Sequence, residues 1–307
     1  MQTLLGQDYD FKVLVNSGSN TFYNTDSKEL EELKVGDILN SKDELITSDN
    51  CYIGLVHKSG QTLELSEQGR YSIDMLHDQI KWQENIAKWH LNSLWDKVFE
   101  ALLETNNSNN SHALALGLNI QPTGVNSGKL QVIAANPRKL NPVFKEKVTM
   151  RWIGGFPPDE KLYVVNVLDI YDRLLLSKNV LGSKFILDFS DKRLINDDGA
   201  SDREFITVIV ASEDNPDLNS WRYGITKISR KVAEQVREEV QILEEAVSPP
   251  TLLDKVLIAT YFEEKGLLLD ALATYEDLIQ ELPDVYEVKV LYNLFIHRNL
   301  QRIRVRG

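Results

Sequence analysis

A single cysteine, Cys51, in 307 residues excludes an internal disulfide framework and any cysteine-built metal cluster. The roughly 18 consecutive apolar residues that a spanning helix needs occur nowhere, so no segment reads as a membrane helix. Basic blocks are missing too. The net charge of −12 is spread along the chain, which argues against DNA, RNA or an anionic membrane as the main partner. The five histidines, His57, His77, His90, His112 and His297, are scattered without metal-ligand spacing. There is no HExxH, no aspartate-rich calcium loop, no GxxxxGK[ST] phosphate cradle and no GxSxG elbow. Gly154-Gly155 runs into Pro157-Pro158 and reads as a turn, not a nucleotide loop. The sequence therefore offers no catalytic, cofactor-binding or metal-ligating set, and the expectation is a protein that is not an enzyme.

Hydrophobic content of 42% and charged content of 26% are those of a globular protein, and the length allows two or three domains with real cores. The expected class is multidomain α+β. Thr3-Leu4-Leu5-Gly6-Gln7, followed by polar Asp8-Tyr9-Asp10, looks like the tail of an export leader. That points to the periplasm or cell envelope; a frayed cytoplasmic N-terminus is the alternative.

Residues 1–75 read as a small all-β domain. Phe11, Val13 and Val15 alternate with polar residues, and Asn16-Ser17-Gly18-Ser19-Asn20 supplies turn chemistry. Cys51 opens the apolar strand Tyr52-Ile53-Gly54-Leu55-Val56, where a small buried residue is expected. The order Gly36-Asp37, Leu45-Ile46-Thr47, Tyr52 to Val56, Ser59-Gly60 and Leu63 to Leu65 resembles the FecR-like β domain, although that family's turn is commonly Asp-Gly. The plainer reading of Gly36-Asp37 is a turn pair that sets strand register.

Residues 76–105 change period. Ile80, Trp82, Ile86, Trp89, Leu91, Leu94, Trp95, Val98, Phe99, Leu102 and Leu103 recur at three and four, which predicts one long amphipathic helix packed against a neighbour. A linker follows over 106–128, opening on Asn106-Asn107-Ser108-Asn109-Asn110.

Residues 129–229 return to strands, predicted at 130–134, 148–152, 162–170, 184–189 and 205–211, the arithmetic of a β-sandwich. Val148 to Trp152, Tyr163 to Val167, Asp169-Ile170-Tyr171-Asp172 and Leu174 to Leu176 resemble an immunoglobulin or fibronectin-type module with Trp152 buried. No cysteine pair supports it. Asp169, Asp172 and Asp188 fall near strand ends, where they ring a cleft or simply face solvent.

Residues 230–307 read as helical, with a helix from Ile225 to Val247 stopped by Pro249-Pro250. Within Leu252 to Val285, Ile258, Ala259 and Phe262 share a helix face, Gly266 opens a turn, Ala271, Tyr275 and Leu278 line a second helix, and Pro283 ends the unit. This segment resembles one tetratricopeptide repeat. Lys255 and Leu278 depart from that family's usual residues. The resemblance implies a binding surface, for which Lys255, Tyr261, Lys265, Tyr286 and Lys289 are the candidate partner-binding residues. Arg302 to Arg306 form a basic tail.

The expected function is a non-enzymatic scaffold or adaptor that joins protein partners, or copies of itself, through its C-terminal helices in a bacterial cell-envelope complex. A FecR-type signalling regulator is the second reading, although the chain lacks that family's membrane span. A carbohydrate-binding or hydrolytic sandwich is the third.

Overall fold

A computed structural model describes residues 9–80, 88–106, 129–153, 161–194, 205–247 and 250–302. The fold is mixed α+β, with two small antiparallel sheets toward the N-terminus, a larger mixed sheet in the centre and four C-terminal helices. The chain divides into two compact units. The first comprises Met1–Leu116, Glu238–Thr260 and Asp277–Leu291; the second comprises Gly117–Arg237, Tyr261–Glu276 and Tyr292–Gly307.

In the first unit, β1 (Phe11–Ser17) lies between β4 (Ile38–Leu39) and β6 (Tyr52–His57), and β7 (Thr62–Leu65) flanks β6. The second small sheet runs β3 (Glu29–Glu32), β2 (Thr21–Asn24), β5 (Glu44–Thr47), β8 (Gly69–Ser72). Phe11, Val13, Phe22, Leu45, Ile53 and Leu55 pack into the shared core. Lys12 on the other side of β1 is buried as well, its ammonium 4.0 Å from the Phe99 ring centroid. The turn glycines have the expected conformation, Gly36 at φ +93° and Gly60 at φ +90°, a region open to glycine and strained for other residues. Asp37 Oδ2 accepts the Lys34 N–H at 2.7 Å, so this pair does build a turn. Cys51 is buried and free.

The predicted single helix over 76–105 is not continuous. Helix α1 (Ile73–Gln79) ends because Ile80 is extended, at φ −74° and ψ 110°. Ile80 packs on the sheet core, and that burial overrides local helical periodicity. Helix α2 (Lys88–Asn106) then buries Leu91, Leu94, Trp95, Val98, Phe99 and Leu102 along one stripe. The Trp95 indole donates to the Gly60 carbonyl at 2.8 Å, so this member of the tryptophan stripe is a docked core residue. Trp82 and Ile86 lie outside the described residues, as do the Trp89 side chain and residues 107–128 of the expected linker.

The central sheet contains β9 (Lys129–Val132), β10 (Asn141–Val143), β11 (Lys147–Ile153), β12 (Leu162–Leu168), β13 (Leu174–Leu181), β14 (Lys184–Asp188), β15 (Phe205–Ser212), β16 (Asn219–Ser220) and β17 (Tyr223–Lys227). Its order is β10-β17-β15-β16-β9-β11-β14, with β12 on β15 and β13 on β12. The β10–β17 and β16–β9 pairs are parallel and the others antiparallel. Trp152 is buried and meets Tyr163 edge-on at 5.3 Å between centroids. Ile225 does not open a helix. Tyr223 and Ile225 alternate into the core, and their strand pairs with β15 and β10.

Helices α3 (Arg230–Ala246), α4 (Asp254–Glu264), α5 (Leu268–Glu281) and α6 (Tyr286–Arg302) complete the chain. Gly266 at φ +74° turns α4 into α5. Lys255 Nζ meets Glu281 Oε2 at 2.5 Å, tying the start of α4 to the end of α5, so the two run antiparallel. Ala259, Phe262, Ala271, Tyr275 and Leu278 are all buried, as the spacing predicts.

Candidate functional site

The residues expected to contact a partner divide between the two units. In the first unit, Lys255 is engaged with Glu281, Tyr286 is 37% exposed at the start of α6, and Lys289 is exposed one turn on. In the second, Lys265 is exposed, with its ammonium 5.3 Å from the Tyr261 ring centroid. Tyr261 itself is fully buried and offers no surface to a partner. Its ring packs beside Phe262, since α4 is buried over more of its circumference than the 258–259–262 stripe implies.

A different surface stands out in the second unit. Among the described residues, β13 pairs with β12 alone, in a register running from Leu162↔Leu181 to Leu168↔Leu174. Its outer edge therefore carries N–H and C=O groups without a ladder partner. Leu181 is 68% and Leu174 59% exposed, and Ser177, Lys178 and Asn179 between them are exposed too. Ile170 and Tyr171, at 61% and 72%, project from the β12–β13 turn.

That turn is built around Asp169. Its Oδ1 accepts the N–H groups of Tyr171 and Arg173 at 2.8 and 2.9 Å, and its Oδ2 accepts Arg173 Nε at 2.6 Å. Burial disfavours the charge, but the Arg173 N–H and guanidinium and the Tyr171 N–H outweigh it and hold the carboxyl below its ordinary range. Asp172, at φ +64°, contacts Arg222. Asp188 accepts from Ser190 and faces Lys147. All three aspartates are thus engaged in local turn and ion-pair contacts.

The first unit contains a titratable cluster that spacing does not reveal. The β1–β6 register sets Phe11 opposite His57, which brings Asp10, just before β1, to the end of β6. Helix α1 adds His77. His57 Nε2 lies 3.0 Å from His77 Nδ1, and Asp10 Oδ1 lies 3.4 Å from the same Nδ1. Behind the first imidazole, His57 Nδ1 is 2.7 Å from Ser59 Oγ. Lys58 Nζ reaches Asp10 Oδ1 at 2.8 Å. His57 and Asp10 are buried, whereas the His77 side chain is 37% exposed. Two imidazoles and a carboxylate are a donor set able to hold a divalent metal. Twenty residues separate the histidines, so only the strand register and the placement of α1 bring them together. His112 lies outside the described residues, as does the His90 side chain.

No protein-family model matches this chain, and no curated protein shows significant similarity to it. The three family resemblances rest on the residues that carry them.

Proposed function

We propose that the protein is a non-enzymatic scaffold or adaptor that mediates protein–protein assembly, acting in a bacterial cell-envelope complex. The proposal includes a finer architecture: a FecR-like β domain, an immunoglobulin-like sandwich and a tetratricopeptide hairpin over 252–285. Positive φ at Gly36, Gly60 and Gly266, each at a turn of the matching motif, supports that assignment.

The observation that carries the functional reading is the outer edge of β13 with its two apolar ends. The occupant it suits is an extended segment of a partner protein that adds a strand. Main-chain hydrogen bonds would supply affinity, and apolar side chains of the partner would seat near Leu181 and Leu174. Tyr171 is large, exposed and held by the Asp169 turn, so it meets a partner with little ordering cost. Exposed Lys265 and Lys289 remain secondary contact points under the same reading.

Residue-resolved cross-linking on complexes recovered from the native source tests it. Recurrent cross-links from Lys178 to one partner, lost in a Tyr171→Asp/Leu181→Lys variant with an unchanged circular dichroism spectrum, are expected. A partner held equally well by that variant removes the β13 edge as the interface.

A further inference from the structure

We infer that Asp10, His57 and His77 form a binding site for one divalent transition-metal ion of the zinc type. Tetrahedral zinc with nitrogen and oxygen ligands at about 2.0–2.1 Å places ligand atoms about 3.3 Å from one another. The His57 Nε2–His77 Nδ1 and Asp10 Oδ1–His77 Nδ1 distances, 3.0 and 3.4 Å, bracket that edge. All three ligand atoms lie within 4.8 Å of one another. An imidazole-rich set with one carboxylate suits zinc, cobalt or nickel better than the hard cations calcium and magnesium.

The surroundings fit the same assignment. A metal-bound histidine usually engages its other ring nitrogen in a hydrogen bond that fixes ring orientation. His57 Nδ1 engages Ser59, lying 2.7 Å from its Oγ and 3.1 Å from its backbone N, and Ser59 Oγ in turn lies 3.3 Å from Gln61 Oε1. Without metal, the two facing ring nitrogens share one proton, one donating and the other accepting. A bound cation takes both facing lone pairs, and the shared proton passes to the outer nitrogen of the ring that donated it. The partial exposure of His77 leaves one side for entry and for a water as fourth ligand.

Lys58 competes for the site. Its ammonium sits 2.8 Å from the carboxylate oxygen the metal would use, but its side chain is 42% exposed and can withdraw into solvent. Removing that ammonium strengthens metal binding if Asp10 is a ligand. Loss of this half-buried lysine has no such effect on adventitious binding elsewhere.

The test uses the untagged full chain, Co²⁺ as an optical probe and Zn²⁺ in calorimetry. One ion per chain is expected, with the intense visible bands of tetrahedral Co²⁺. His77→Ala should weaken binding by more than about 10-fold, and Lys58→Ala should tighten it. Because Lys58 is a surface residue, its variant keeps the test decisive even if His77→Ala fails to fold. Absence of binding by the wild-type chain overturns the assignment. So does wild-type affinity in His77→Ala, or an affinity in Lys58→Ala no higher than wild type.

Discussion

Thr62 Oγ1 on β7 donates to Asp254 Oδ1 at 2.7 Å, a hydrogen bond that closes 192 residues of chain. The other carboxylate oxygen accepts the Thr251 N–H at 2.6 Å, which closes the turn that enters α4. Burial raises the Asp254 pKa to about 6, against partial relief from those hydrogen bonds. A raised carboxyl pKa means the folded state holds the proton more tightly than the unfolded one. This group therefore favours folding most below pH 4, and that contribution is lost as pH rises from about 4 to about 6. The span corresponds to about 3 kcal/mol. Asp254→Asn removes the titration. Its stability relative to wild type should climb between pH 4 and 6.5 and stay level above, as read by urea denaturation across pH. A pH-independent difference would discard this account.

Gly54 on β6 lies opposite Val15, where the β1 register shifts. A Cβ there would come within 2.2 Å of Leu253 Cδ1 and 3.3 Å of Val15 Cβ. Since Leu253 is fully buried, it has little room to yield. Gly54→Ala should cost about 1–3 kcal/mol through overpacking. Adding Leu253→Ala should bring less than its own full penalty, because the cavity it opens admits the new methyl. Simple additivity in the double variant would show that the strain lies elsewhere.

Asp270, in the first turn of α5, is fully buried and accepts the N–H groups of Phe144 and Lys145 at 2.9 and 2.7 Å. Asp270→Ala leaves both donors unpaired, which should cost on the order of 2–4 kcal/mol. Asp270→Asn keeps one acceptor oxygen and should lose about half as much. Thermal or chemical denaturation of the pair gives the answer, and equal losses would rule out a role for two separate bonds.

Arg151 and Lys184 hold the two oxygens of buried Glu276, at 2.6 and 2.7 Å. Either cation alone leaves the carboxylate partly compensated, whereas removing both strands a buried charge. Arg151→Ala/Lys184→Ala should therefore destabilise by at least about 1 kcal/mol more than the two single changes summed. A double-mutant cycle measures this directly, and zero coupling would mean that Glu276 finds water instead.

What could be read from the sequence was local. Gly36, Gly60 and Gly266 mark turns because positive φ is open to glycine, and Ala259, Ala271 and Tyr275 mark a buried helix face by spacing alone. Strand β13 escaped because Leu174-Leu175-Leu176-Ser177-Lys178-Asn179-Val180-Leu181 does not alternate; an edge strand has less to bury. Ile225 misled because a helical stripe begins just beyond it at Val232, and the pairing that makes it a strand comes from β10 and β15. Ile80 misled for a similar reason, since the core it joins is made by the sheets. The histidine cluster was invisible because spacing does not encode which strand end faces which helix.

The first unit recruits Glu238–Thr260 and Asp277–Leu291 as well as the N-terminal segment, which has a consequence for synthesis. Strands β1, β6 and β7 leave the ribosome long before Leu253, Asp254 and Glu287 exist. Yet the Asn16 amide waits for the Glu287 carboxylate, 271 residues later. The nascent N-terminal sheets must persist with part of their apolar surface bare until residues 253–287 have been made. That interval is the time of greatest exposure to aggregation and to holding chaperones.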